Sequence, residues 1–215
     1  MVKVRLIPVL FLMNGLIVRS ESFQDFKVIG NPLSELERYS EWLADELVYA
    51  DITREGDQDL RRDDHKVKNY GDKLSLLRAI SEKAFMPLTF GGLIRGMDDI
   101  DSYLLNGADK VLITTEAWRR PDLVTEAARK HGRQAVMVGI DVRRENGKPT
   151  LWIEQGRTKV SEDLAKWAKD AEAAGAGELL INSIDRDGTA SGYDLEAIKT
   201  VAEAVSIPVI ACGGA

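Results

Sequence analysis

The sequence predicts an α/β fold: a (β/α)8 TIM barrel made of two repeated halves and ending after its seventh strand. Three observations carry the prediction. Short apolar runs alternate with amphipathic helical patterns, as in a parallel sheet covered by helices. Three strand-like segments recur in the same order, offset by a little over half the chain. Seven strands with a twofold internal repeat argue a (β/α)8 barrel that lacks its last unit, since an open seven-stranded sheet would leave two unpaired edges.

The recurring pairs are plain in the residues. RLIPVLF (Arg5 to Phe11) matches AVMVGID (Ala135 to Asp141). ADELVYADI (Ala44 to Ile52) matches AGELLINSI (Ala176 to Ile184). MPLTFGGLI (Met86 to Ile94) matches IPVIACGGA (Ile207 to Ala215). The first pair differs where it matters: the second copy ends in a carboxylate, Asp141, and the first ends in Phe11.

The first strand falls at 4–11 and runs toward the turn pair Asn14-Gly15. Lys3 and Arg5 ahead of an apolar run resemble a secretory leader. The strand reading is preferred, because no small-residue cleavage site follows and the run has its partner inside the chain. A long loop, Ser20 to Pro32, precedes a helix at 33–43. A strand at 46–52 leads into a second long loop, Arg54 to Asp72, which holds the charged stretch RRDDHK (Arg61 to Lys66). That stretch suits a diphosphate or a partner, and equally a self-paired solvated surface. Strands at 86–90, 109–114, 135–141, 178–183 and 207–212 then alternate with helices at 72–84, 97–106, 121–131, 160–174 and 194–205. One domain over 1–215 is expected, with the last β/α unit missing; the sequence stops at Cys-Gly-Gly-Ala, as a truncated barrel would.

Composition narrows the function. The 215 residues are 44% hydrophobic and 30% charged, enough for a full core. A net charge of −6 argues against a nucleic-acid surface. One cysteine, Cys212, excludes an internal disulfide and fits a reducing cytoplasm. Two histidines and no cysteine cluster supply no zinc site, so no metal is expected. No segment approaches the apolar length of a membrane span.

Barrels keep their chemistry at the C-terminal ends of their strands. Those ends carry Phe11, Asp51, Gly91-Gly92, Thr114-Thr115, Asp141, Asp185, Asp187-Gly188 and Gly213-Gly214. Asp141 is the candidate acid or base; Phe11 transfers no proton. Glycine pairs let backbone N–H groups approach a phosphate, or simply make a tight turn. Two such loops, half a barrel apart, suggest a substrate with a phosphate at each end. Leu93 stands where the repeat has Gly214.

The other end of the strands is charged as well. Counting by twos, Arg5 shares a face with Phe11, Glu46 with Ala50, Lys110 with Thr114 and Glu178 with Asn182. An inward ring of Arg5, Glu46, Lys110 and Glu178 would be a salt-bridged plug or a gate; physics alone favours the plug.

Together RLIPVL, DELVYADIT (Asp45 to Thr53), GADKV (Gly107 to Val111), GELLINSIDRDGTASGYD (Gly177 to Asp194) and IPVIACGGA resemble the cyclase subunit family of imidazole glycerol phosphate synthase over essentially the whole chain. The resemblance implies a (β/α)8 barrel fed with ammonia by a glutaminase docked at the N-terminal face. It places the family's ammonia gate on Arg5, Glu46, Lys110 and Glu178, and so reverses the plug reading. It places two catalytic aspartates on Phe11 and Asp141, so one is missing. A substrate-contacting lysine falls on Arg19, a phosphate-loop glycine on Leu93 and an asparagine on Thr114. It implies no cofactor.

The chain is most similar to the cyclase-like branch of acetamidino modification of bacterial surface sugars, such as lipopolysaccharide. The expected function is therefore ammonia channelling from a glutaminase to a sugar-amidating enzyme that acts on a nucleotide-linked sugar. The alternatives are a histidine-biosynthesis cyclase (a lyase) with an altered site, and a non-catalytic activator of the glutaminase.

Overall fold

The protein is described by a computed structural model covering residues 4–53 and 70–215. RRDDHK, and most of the loop that carries it, lie outside the described residues. The chain divides into two compact units. The first comprises Met1–Arg19, Lys27–Ile94 and Asp98–Val111; the second comprises Ser20–Phe26, Arg95–Met97 and Leu112–Ala215. The boundary cuts the strand at 110–113.

In the first unit, β1 (Val9–Met13) turns back into β2 (Leu16–Glu21). The turn is Asn14-Gly15, with φ of 51° and 73°. Both values are positive, as a two-residue hairpin of this hand needs. β3 (Asp25–Gly30) lies beside β2. The predicted loop 20–32 is thus largely strand. The first strand starts at Val9, not at residue 4, because Pro8 has no N–H to give to a ladder.

α1 (Pro32–Glu41) is started by Asn31, whose side chain accepts from Leu33 N at 2.9 Å, and by Pro32 in the first turn. β4 (Leu47–Asp51) runs parallel to β1, with Val9 opposite Val48 and Phe11 opposite Ala50. α2 (Lys73–Ser81) is capped by Asp72, which accepts from Ser75 N at 2.8 Å. β5 (Leu88–Gly91) pairs parallel with β4, then come α3 (Met97–Leu105) and β6 (Lys110–Ile113). Leu36, Leu47, Leu77, Ile80 and Leu88 fill the layer between strands and helices. Tyr49 joins them because its hydroxyl donates to Pro32 O at 2.7 Å, so burying the ring leaves no orphan group.

In the second unit, α4 (Thr115–Arg119) and α5 (Pro121–His131) lead to β7 (Val136–Glu145). β7 runs to residue 145 rather than the expected 141. Its first part pairs parallel with β10 (Glu178–Ser183), and its second part antiparallel with β8 (Lys148–Ile153). β9 (Thr158–Ser161) pairs with β8. The predicted helix 160–174 therefore begins only at α6 (Leu164–Ala174), capped by Asp163. α7 (Leu195–Ala202) and β11 (Val209–Cys212) complete the unit, with β11 parallel to β10. These are parallel strand–helix units of the (β/α)8 class, with added hairpins after β1 and β7.

Candidate functional site

Asp141, Asn182 and Cys212 form one row across β7, β10 and β11. Asn182 is the register partner of Asp141 on one side and of Cys212 on the other. Paired residues of neighbouring strands point to one face. Asn182 Nδ2 donates to Asp141 Oδ1 at 3.2 Å. Burial pushes the Asp141 carboxyl up to about 6; the Asn182 hydrogen bond opposes that rise and the negative charge of Asp187 adds to it. A carboxyl so placed can hold or release a proton near neutral pH. Burial, followed by the charge of Asp187, pushes the Cys212 thiol up to about 12, so it is a neutral thiol and not a nucleophile.

The segment after β10 brings Asp187 near this row. Asp187 is buried, its backbone N–H donates to Ser183 O, and its carbonyl accepts from Ser22 N at 3.0 Å. A Cβ on Gly188 would stand 2.0 Å from Ser20 O, so only glycine lets the two backbones touch. Asp185 is exposed and its Oδ2 accepts from Arg144 N at 2.6 Å. Gly213 and Gly214 are likewise demanded by packing: added Cβ atoms would meet Ser183 O at 2.4 Å and Gly192 O at 2.2 Å.

Thr114 and Thr115 have local roles. The Thr114 methyl occupies the space beside Gly139, 2.3 Å from where a Cβ would stand. Thr115 Oγ1 accepts from Glu154 N at 3.1 Å and pins the hairpin that follows β7.

In the first unit, Phe11, Ala50 and Gly91 make a corresponding row, and Phe11 is half-buried. Asp51 is paired with Leu12, one register on, and so lies on the opposite face from Phe11. Its Oδ1 accepts from Thr53 N at 2.9 Å, and burial raises its pKa while Thr53 and Lys73 hold it down. A Cβ on Gly92 would stand 1.9 Å from Asp51 O, and Gly92 O accepts from Tyr103 Oη at 2.9 Å. Leu93 holds a positive φ of 57°, a cost its glycine counterpart Gly214 avoids. Arg19 is exposed on β2.

At the start of the first unit's strands, three of the four predicted gate residues meet. One Glu46 oxygen binds Arg5 Nη1 and the other accepts from Lys110 Nζ at 2.8 Å. The Glu46 side chain is 8% exposed. Glu178, in the second unit, is buried at the start of β10 opposite Met137.

Two features escaped the sequence reading. Asn182 was placed on the inward face but given no role. Arg143 and Trp152 belong to the part of β7 and to β8 for which the sequence predicts no element. Trp152 is the partner of Asp141, and the Arg143 guanidinium stands 5.0 Å over its ring and donates to Gly156 O at 3.0 Å. The period of two through Asp141 and Arg143 was the available signal.

Among the described residues, no group of three or more His, Cys, Asp or Glu side chains is placed to hold a metal ion. Among them, no helix is long and apolar enough to cross a membrane.

Residues 5–215 match the family model described as histidine biosynthesis protein. The chain is 39% identical over 216 residues to the imidazole glycerol phosphate synthase subunit HisF of Alkaliphilus metalliredigens, covering all of this chain and 81% of that protein. It is 41% identical over 221 residues to the subunit of the same name from Corynebacterium diphtheriae, with the same coverage. The chain belongs to this histidine biosynthesis family.

Proposed function

We propose that this family member is the cyclase-like subunit of a synthase of the imidazole glycerol phosphate type, using ammonia supplied by a glutaminase subunit. The observation that carries the reading is the Asp141–Asn182 pair: a desolvated carboxyl, titrating near 6, held by an amide at a strand end. Asp141 exchanges a proton with the reacting substrate, and Asn182 fixes its orientation. Gly91-Gly92 in the first unit, and Gly188 and Gly213-Gly214 in the second, present backbone N–H groups to the substrate's phosphates; Arg19 of the first unit and Thr114, Thr115 and Asp187 of the second contact the substrate. Arg5, Glu46 and Lys110 of the first unit, and Glu178 of the second, each take a gate role toward ammonia from the glutaminase.

The test is ammonia-dependent cyclisation by the purified chain, and glutamine-dependent cyclisation after the glutaminase is added. Turnover that disappears in Asp141→Asn supports the reading. Absence of turnover with either nitrogen source rejects it.

Phe11 favours a second reading. With no carboxylate at that strand end, the barrel would deliver ammonia onward for amidation of a nucleotide-linked surface sugar by a partner enzyme. Glutamine-dependent sugar amidation that needs this subunit, with no cyclisation, would select this reading over the first.

A further inference from the structure

Asn182 is 5% exposed, and the two ends of its amide fare differently. Nδ2 donates to Asp141 Oδ1. Oδ1 is buried with no hydrogen-bond partner. Charge fixes this orientation. An ionised carboxylate only accepts, so the NH2 end must face it and the carbonyl oxygen must turn away. A buried acceptor without a donor is costly and rare, and a bound donor relieves it.

The surroundings say what kind of donor. The charge of Asp187 is felt at both Asp141 and Cys212, and the cation that shares the Asp141 face, Arg143, is held by Asp185 at 3.4 Å, so the row is left with a negative neighbour. A negative field excludes an anion and favours a cation over a neutral molecule. A side chain as buried as Asn182 is reached only by a small group. A lone acceptor beside a carboxylate asks for a ligand with several N–H bonds.

We propose that Asn182 Oδ1, together with Asp141, is a docking point for ammonia and its ammonium ion. Asn182 is then a positioning residue with two tasks: it orients the carboxyl with one end and the incoming nitrogen with the other. The inference rests on the reading that this chain handles ammonia, but binding is measurable without turnover.

The experiment follows the Asp141 carboxyl by carbon NMR in aspartate-labelled protein, titrated in ammonium, potassium or tetramethylammonium chloride at matched ionic strength. Potassium matches ammonium in charge and approximate size but donates no hydrogen bond. The expected result is a midpoint lower in ammonium than in the other two salts by about half a pH unit, a roughly threefold change in proton affinity. Asn182→Leu should abolish the difference between salts. Identical wild-type midpoints in the three salts overturn the proposal, with or without a folded variant. So does a full ammonium effect in a folded Asn182→Leu protein. An ammonium effect in a protein that shows no turnover upholds the docking point and rejects the functional reading.

Discussion

Asp141 and Asn182 are register partners on adjacent parallel strands, and the amide donates to the carboxylate across 3.2 Å. The contact opposes burial without cancelling it, so the carboxyl stays high, at about 6. Between the unfolded value near 3.9 and this folded value, the folded state binds more protons than the unfolded chain. Stability contributed by the neutral carboxyl is therefore full below about pH 4 and lost as pH rises through about 6. Asp141→Asn should be more stable than wild type by about 1–3 kcal/mol at pH 7.5, with the difference shrinking toward zero at pH 4. Urea denaturation at the two pH values checks it; a gain of equal size at both would contradict the assignment.

Glu46 holds two cations with one carboxylate. Glu46→Gln should destabilise the protein by about 2–4 kcal/mol, because Arg5 and Lys110 both lose a charge partner at a largely buried carboxylate. Lys110→Met combined with Glu46→Leu should recover most of that loss, since a buried pair and an apolar pair of similar volume are often equivalent. A double-mutant cycle in denaturant measures the coupling. If the ring works as a gate, the recovered double variant should still lose glutamine-dependent turnover.

Phe11→Asp places a carboxylate in the row with Ala50 and Gly91. If cyclisation needs a carboxylate at this strand end, the substitution should raise ammonia-dependent cyclisation by about 10²-fold or more. It should also lower stability by about 1–3 kcal/mol, because a half-buried ring becomes a partly desolvated charge. Steady-state kinetics alongside thermal unfolding separates the effects. An unchanged rate in a folded variant would favour the amidation reading.

Gly92 and Gly96 are close in sequence but differ in environment. Gly92 has a φ of +93° and no space for a Cβ, while Gly96 has nothing within 4 Å of one. Gly92→Ala should cost about 2–4 kcal/mol through backbone strain and overlap with Asp51 O. Gly96→Ala should stay within about 0.5 kcal/mol of wild type. Equal costs in equilibrium denaturation would show that the backbone approach at Gly92 is not limiting.

Much of the fold could be read before the structure was seen, for identifiable reasons. The strand at 178–183 is built round the apolar run Leu179–Ile181 just after Gly177, and all its residues are buried. The helices at 121–131 and 194–205 announce themselves through Pro121 and Asp194 at their starts. The hairpins after β1 and β7 could not be read this way. β3 is mostly exposed, and β8 and β9 are short. β3 mixes polar and apolar residues and β8 starts with Lys148-Pro149, so cross-strand pairing, not local pattern, makes them strands.

The candidate site divides along the same line. Asp141 and the Gly213-Gly214 pair were visible because strand ends and glycine pairs are local features. Arg143, Trp152 and the role of Asn182 depend on which residue lies opposite which.

The sequence by itself determined the strand–helix order, the internal repeat, the family and the absence of a carboxylate at residue 11. All of these follow from periodicity and residue identity, which short-range sterics and apolar burial make legible. Only the tertiary structure decided that Asp141 is faced by the donor end of Asn182, that Asp51 points away from the Phe11 row, and that Glu46 bridges Arg5 and Lys110. Such facts are set by register between distant strands, where a shift of one residue exchanges the two faces of a sheet.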